Sequence, residues 1–207
     1  MTTTKGSPGN RGEPARPPPT TAADIVEAAL QLIGARGIKG TTIAAVADRV
    51  GISDAGLLHH FPSKAALVDA VLDRGLQLQI NQFGKFIGPG GLEAIRAMAE
   101  WGSTMEESPE LVALQIAMSA EAAFPDSPLH EYMIGRYRNV HQLAVGLIRQ
   151  GIERGEIRPD VDAEWEASAL ISYLDGVRLQ WFLAKGEFQL AAHVRHYFGL
   201  LVERLER

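Results

Sequence analysis

Between Thr42 and Phe61 the sequence gathers side chains suited to hydrogen bonding with the edges and phosphates of duplex DNA. Two short helices joined by a tight turn can lay the second one in a major groove. The requirements are few. A small residue in the first helix must let the second cross closely, and Ala47 supplies it. The turn needs a residue that tolerates positive φ, and Gly51 supplies it. Val46, Val50, Ile52 and Leu57 stand where apolar side chains must fill the wedge. The second helix then projects Ser53, Asp54, Ala55, Leu58 and His59 outward. Asp54 can accept from a cytosine amino group, although an acid is favoured in the first turn of any helix. Two short helices can also meet these conditions by chance. His59-His60 raises the question of a metal, but adjacent helical residues point about 100° apart and form no clamp. No suitable third ligand stands at helical spacing, so no metal site is expected.

Helical punctuation surrounds this stretch. Thr21 to Asp24 reads as a capping box with Asp in place of the usual Glu. Ile25, Ala28, Ala29, Leu32 and Ile33 then follow a helical period as far as Gly37. Thr41 or Thr42 caps a second, short helix through Val50. Ser53 caps a third, to about Phe61. Pro62-Ser63 stops that one and starts a fourth, from Lys64 to about Phe86. After Pro89-Gly90-Gly91 the helices lengthen: 92–106, 109 to about 123, 129 to near 155, 162 to about 185, and about 188 to 205. No alternating strand and no internal repeat is visible. The expected fold is all-α with about nine helices, four in a small head (20–70) and five in a larger body (71–207). Residues 1–19 hold 5 of the 11 prolines and one large apolar side chain, Met1. That composition predicts a disordered tail, whose Arg11 and Arg16 could touch a polyanion.

Composition narrows the function classes. At roughly 100–200 residues per domain, a 207-residue chain is one domain or two small ones. The absence of cysteine excludes disulfides, thiolate metal sites and cysteine nucleophiles. A cytoplasmic location fits. The longest apolar runs, about five or six residues, fall far short of the ~18 needed to cross a bilayer. No membrane partner and no cofactor is expected. Net charge is −5, but residues 1–75 carry 8 Lys/Arg against 7 Asp/Glu, so the acidic excess lies wholly in the later part. One end suited to phosphate would show this asymmetry.

The run from Thr41 to Leu67, TTIAAVADRVGISDAGLLHHFPSKAAL, resembles the DNA-binding head of the TetR family of transcriptional regulators. The preceding helix matches the family's first. The later region is similar in helix number, length and order, with an Asp175-Gly176 element that looks family-like. The resemblance implies that Thr42 and Lys64 bind phosphates. A cation in the first turn of a helix opposes the helix dipole, so Lys64 there serves an anion better than stability. It implies base contacts from Ser53, Asp54, Ala55 and His59, and a backbone or packing role for His60. The family usually has Tyr where this chain has Leu58, which loses a hydroxyl and could touch a thymine methyl instead.

The body offers two further expectations. The helix at 162–185 is apolar on more than one face, and the last helix shows a seam-like spacing. Leu170, Leu174, Val177 and Trp181, with Val194, Tyr197 and Leu201, are therefore candidates for a homodimer interface. Burial of both faces within one chain is the alternative. Met98, Trp101, Met105, Met118 and Phe124 are candidate lining for an effector pocket, with Gln115, Glu121, His141 and Arg178 as polar anchors; ordinary core packing is the alternative. An acidic anchor would suit a cationic effector. The reading is a ligand-responsive regulator, by family tendency a repressor, whose partners are double-stranded operator DNA, a second copy of itself and an unidentified small molecule. No catalytic residue is expected: there is no phosphate-cradling glycine loop, no H-E-x-x-H, and no scaffold for a nucleophile elbow. A binding module that keeps this fold without reading DNA remains open, given the head's modest charge and Leu58.

Overall fold

The computed structural model describes residues 20–206, so the tail expected at 1–19 lies outside the described residues. The chain folds as α1 (Ala22–Gly40), α2 (Ile43–Val50), α3 (Asp54–His60), α4 (Lys64–Ile87), α5 (Gly91–Ala97), a 3-10 turn (Met98–Glu100), α6 (Trp101–Glu106), α7 (Pro109–Ala122), α8 (His130–Glu153), α9 (Ala163–Leu183) and α10 (Leu190–Leu205). Extended pairing among the described residues is limited to one isolated bridge, Ile157 with Glu206, which ties the α8–α9 loop to the end of α10.

The helix starts follow from side-chain caps. Thr21, Thr42, Ser53, Ser63 and Asp162 each accept from a backbone N–H of the first turn they precede. The Thr21–Asp24 box is complete, and these bonds hold the exposed Asp24 carboxyl below its ordinary pKa. Helical geometry breaks at Gly37 (φ 71°), as expected, but one further turn carries α1 to Gly40. The rod expected at 92–106 is interrupted by the 3-10 turn. The interruption divides its packing: α5 packs on α8, while the turn and α6 pack on α10.

Two clusters form the interior. The head cluster gathers Ile25, Leu30 and Ile33 of α1, Val46, Leu57, and Leu67 and Val71 of α4, but it also takes Leu114 and Met118 of α7. The body cluster is built on α5, α8, α9 and α10 around Phe198 and Leu190. Helix α4 serves both, since Phe83, Phe86 and Ile87 near its far end pack against the body cluster.

Helices α6 and α10 meet closely at Gly102, where a Cβ would sit 2.7 Å from the Ala191 Cα and 2.9 Å from the Val194 Cβ. Gly102→Ala should therefore push α6 from α10 and cost about 1–3 kcal/mol, read as a lower urea midpoint. An unchanged midpoint would mean that the two helices separate freely here.

Candidate DNA-reading head and ligand cavity

In the head, capping and exposure coincide. Gly51 adopts the left-handed conformation (φ 73°) that ends α2 and turns the chain into α3. Val46, Ala47 and Leu57 are fully buried in the wedge, with Val50 and Ile52 packed against them. The opposite side of α3 is open: Ser53, Asp54, Ala55, Leu58, His59 and His60 are all exposed, Leu58 by 41%. His60 is thus exposed rather than packed, its ring 6.0 Å from that of His59. Thr41 is buried and donates to the Gly37 carbonyl at 2.9 Å; the α2 cap is Thr42, whose Oγ1 accepts from Ala45 N at 3.1 Å. Accepting leaves the Thr42 hydroxyl proton free to donate to a phosphate. Lys64 is the first residue of α4, behind the Ser63 cap.

The body holds a cavity of about 600 Å³ between α4, α8 and α9, to whose lining Met98 and Trp101 also contribute. Leu76, Ile80 and Phe83 line it from α4, Val140, Leu147 and Ile148 from α8, and Leu170 and Leu174 from α9. Phe83 meets Trp101 edge-on at 4.9 Å. A smaller cavity of about 260 Å³ lies beyond, against Gln115, Ser119 and Leu179. Arg136, Tyr137, Asp175 and Arg178 line both, so they form the partition between them.

The partition is a hydrogen-bonded cluster. Arg178 is buried; its Nε donates to the Leu174 carbonyl at 3.0 Å, and its other nitrogens donate to Gln115 and Asp175. The Tyr137 hydroxyl donates to the other Asp175 oxygen at 2.7 Å and lies 3.3 Å from the Ser119 Oγ. Arg136 donates to Gln79 of α4 at 3.0 Å. Burial lowers the Arg178 pKa, Asp175 opposes that shift, and the Arg136 charge adds to it. Burial raises the Tyr137 pKa, keeping its phenol a donor.

A head that exposes such a helix above a helical body with one large apolar cavity is the architecture of known regulators. The family model described as "Bacterial regulatory proteins, tetR family" matches residues 25–71, and that described as "BetI-type transcriptional repressor, C-terminal" matches residues 92–203. The chain belongs to the TetR family of transcriptional regulators. It is a helix-turn-helix regulator and not an enzyme. The HTH-type transcriptional repressor KstR2 of Rhodococcus jostii is 26% identical over 191 residues, covering 88% of this chain and 89% of its own. A TetR regulator from Chloroflexus aurantiacus shares the fold with a TM-score of 0.79 at 23% identity, over 90% of this chain and 96% of its own. So does the regulator FadR of Bacillus subtilis, solved in complex with stearoyl-CoA, with a TM-score of 0.73 at 16% identity over 90% and 100% of the two chains.

In this TetR-family body, several residues stand elsewhere than their spacing suggests. Met98, Trp101 and Arg178 do line the large cavity, and Gln115 the smaller one. Met105 packs in the body core and Met118 in the head cluster, where each fills volume next to α10 or α1 instead of facing a void. Phe124 is 64% exposed in the α7–α8 loop, and His141 faces α9, 3.0 Å from the Ser168 Oγ. Glu121 lines neither cavity and pairs with Lys39, while the large cavity carries two acids, Glu131 and Asp175, and two cations, Arg136 and Arg178.

The interface candidates are corrected too. Leu170, Leu174, Val177, Val194 and Leu201 are buried within the single chain, and Trp181 and Tyr197 pack half-buried against the same core. A side chain already covered by its own chain offers nothing to a partner. The exposed apolar residues of the last helices are others: Trp165, Leu179, Phe182 and Leu183 on α9 and Leu200 on α10.

Removing the Asp175 carboxylate leaves a buried guanidinium without its counter-charge. Asp175→Ala should cost about 2–3 kcal/mol in urea denaturation, just under the range for breaking a fully buried pair because Asp175 is partly exposed. A loss under about 0.5 kcal/mol would show that water replaces the carboxylate.

Proposed function

We propose that the chain is a ligand-responsive repressor that binds palindromic operator DNA as a homodimer in the cytoplasm and is released by a small molecule in the large cavity. The observation that supports it best is the double role of α4. Its first turns build the head, while Leu76, Gln79, Ile80 and Phe83 wall the cavity. A ligand that fits one position of this wall better than another shifts the head between two positions, by as much as its affinities differ. No described helix is long and apolar enough to cross a membrane.

In this reading Ser53, Asp54, Ala55, Leu58 and His59 face base edges, and Thr42 and Lys64 hold phosphates on either side. One seven-residue helix reads too few base pairs for specificity, so the operator is read twice about a two-fold axis. The dimer face follows the exposed side of α9, where Trp165, Ala169, Ser172, Gly176, Leu179 and Leu183 recur at alternating four- and three-residue spacing. Trp165 and Leu183, 69% and 70% exposed, bracket a small-residue centre that lets helices approach. Leu200 of α10 continues the face.

The test is fluorescence anisotropy with DNA from the upstream intergenic region of the protein's own gene against scrambled DNA at two salt concentrations. A preference of about 10³ or more, weakened by salt, is expected. Equal weak binding to both, followed by failure of a genome-wide DNA selection, would favour a module that does not read sequence. Lys64→Ala should weaken binding to every DNA sequence alike and lower the salt slope by about one per protomer. An unchanged slope removes the phosphate contact. Leu179→Glu with Leu200→Glu should yield folded monomers in sedimentation. A persistent dimer would place the interface elsewhere.

A further inference from the structure

We infer that the large cavity takes an amphipathic anion: an apolar body lying along α4 and a single negatively charged oxygen group seated on Arg136, backed by Arg178. The inference rests on the cavity reading above and goes on to the chemistry of its ligand.

Charge bookkeeping at the partition leads to it. Two guanidinium groups, Arg136 and Arg178, stand at the partition beside one carboxylate, Asp175, which pairs with Arg178. Both Asp175 oxygens are engaged, one by Arg178 and one by the Tyr137 hydroxyl. Arg178 is satisfied by Asp175, Gln115 and the Leu174 carbonyl. Arg136 bonds to the neutral Gln79 amide oxygen and, among the described residues, forms an ion pair with no carboxylate. Glu131 also lines the cavity, but it is exposed on the first turn of α8 and beyond ion-pair distance of both arginines. The partition therefore holds one positive charge more than it pairs, half-buried in a mostly apolar wall whose further carboxylate, Glu131, forms an ion pair with neither arginine.

Water can solvate Arg136 while the cavity is empty. A ligand that fills the cavity removes that water. A neutral apolar ligand would leave the guanidinium desolvated and unpaired, and a cationic one would add repulsion. An anionic group replaces the lost water with a charge-assisted bond, for which the planar guanidinium fork offers bidentate geometry. The volume suits a molecule of ordinary drug-like or lipid-like size. Because Arg136 is bonded to Gln79 of α4, an anion drawing on the same guanidinium acts on the helix that carries the head.

The test uses two probes that share a ring framework and differ in charge, anilinonaphthalene sulfonate and uncharged phenylnaphthylamine. Each is titrated by fluorescence into the full-length wild type, Arg136→Gln and Arg136→Lys, with thermal melts confirming that the variants fold. Ala144→Trp fills the cavity and defines the specific signal as the part it abolishes. Wild type should bind the sulfonate at least about tenfold more tightly than the neutral probe. Arg136→Gln should erase that preference while leaving the neutral probe unchanged, and Arg136→Lys should restore part of it. Equal affinity for both probes in wild type, or a preference that survives Arg136→Gln, overturns the anion assignment and leaves the cavity reading standing. If neither probe gives a signal that Ala144→Trp removes, the cavity reading itself fails, and this inference with it.

Discussion

Helix α4 must satisfy two cores with one unbroken rod. It has 24 residues, about 36 Å at helical rise, and its interior contains no proline. Leu67, Val71 and Leu72 are buried in the head cluster, while Phe83 and Ile87 pack against the body. Breaking the helix between them would expose backbone groups and forfeit packing on both sides. On the proposed reading, a shift at the cavity would travel along the rod as rigid-body movement. The head can follow because α2 and α3 hang on α1 and α4 through the Val46 and Leu57 wedge.

The rod does not hold the head alone. Helix α1 lies along α7, closely enough that a Cβ at Gly34 would sit 3.0 Å from the Glu110 carbonyl oxygen. Leu111, Leu114 and Met118 carry the head cluster into the body across this contact. The ion pair from Lys39 to Glu121 adds little, because the lysine side chain is 80% exposed. Apolar packing on α7 thus fixes one side of the head while α4 fixes the other. In the proposed mechanism this arrangement would act as a lever, with α7 as support and the cavity wall as its driven end.

How much of this could be read beforehand depends on what kind of signal each feature leaves. Caps and turns leave local ones. Thr21, Thr42, Ser53, Ser63, Asp162 and Gly51 announce their helices because each backbone need is met by a side chain a few residues away. The partner face leaves a misleading one. The most apolar stripe of α9, through Leu170, Leu174 and Val177, is covered by its own chain, and the exposed stripe is masked by Ala169, Ser172 and Gly176 at its centre. The cavity leaves almost none, since Leu76, Ile80 and Leu147 look like core residues and only the fold decides whether the space beside them is filled. Asp175 and Arg178 are each visible in the sequence, but their pairing is not obvious there, although their three-residue spacing on α9 permits it.

The body is acidic, yet its cavity carries a cationic partition, and the two facts act over different ranges. Residues 76–207 hold 12 Lys/Arg against 18 Asp/Glu, so the surface repels an approaching anion. That repulsion is screened beyond about 8 Å at physiological ionic strength. Inside the cavity the wall is mostly apolar and an ion pair is screened far less, so a contact with Arg136 outweighs the diffuse surface field. The same surface charge also disfavours DNA against the body. On the proposed reading phosphate is left the head alone, whose 8 Lys/Arg against 7 Asp/Glu in residues 1–75 leave it close to neutral. Separation of charge along the chain would then serve both proposed sites, keeping a polyanion at one end while a small anion reaches the other at modest kinetic cost.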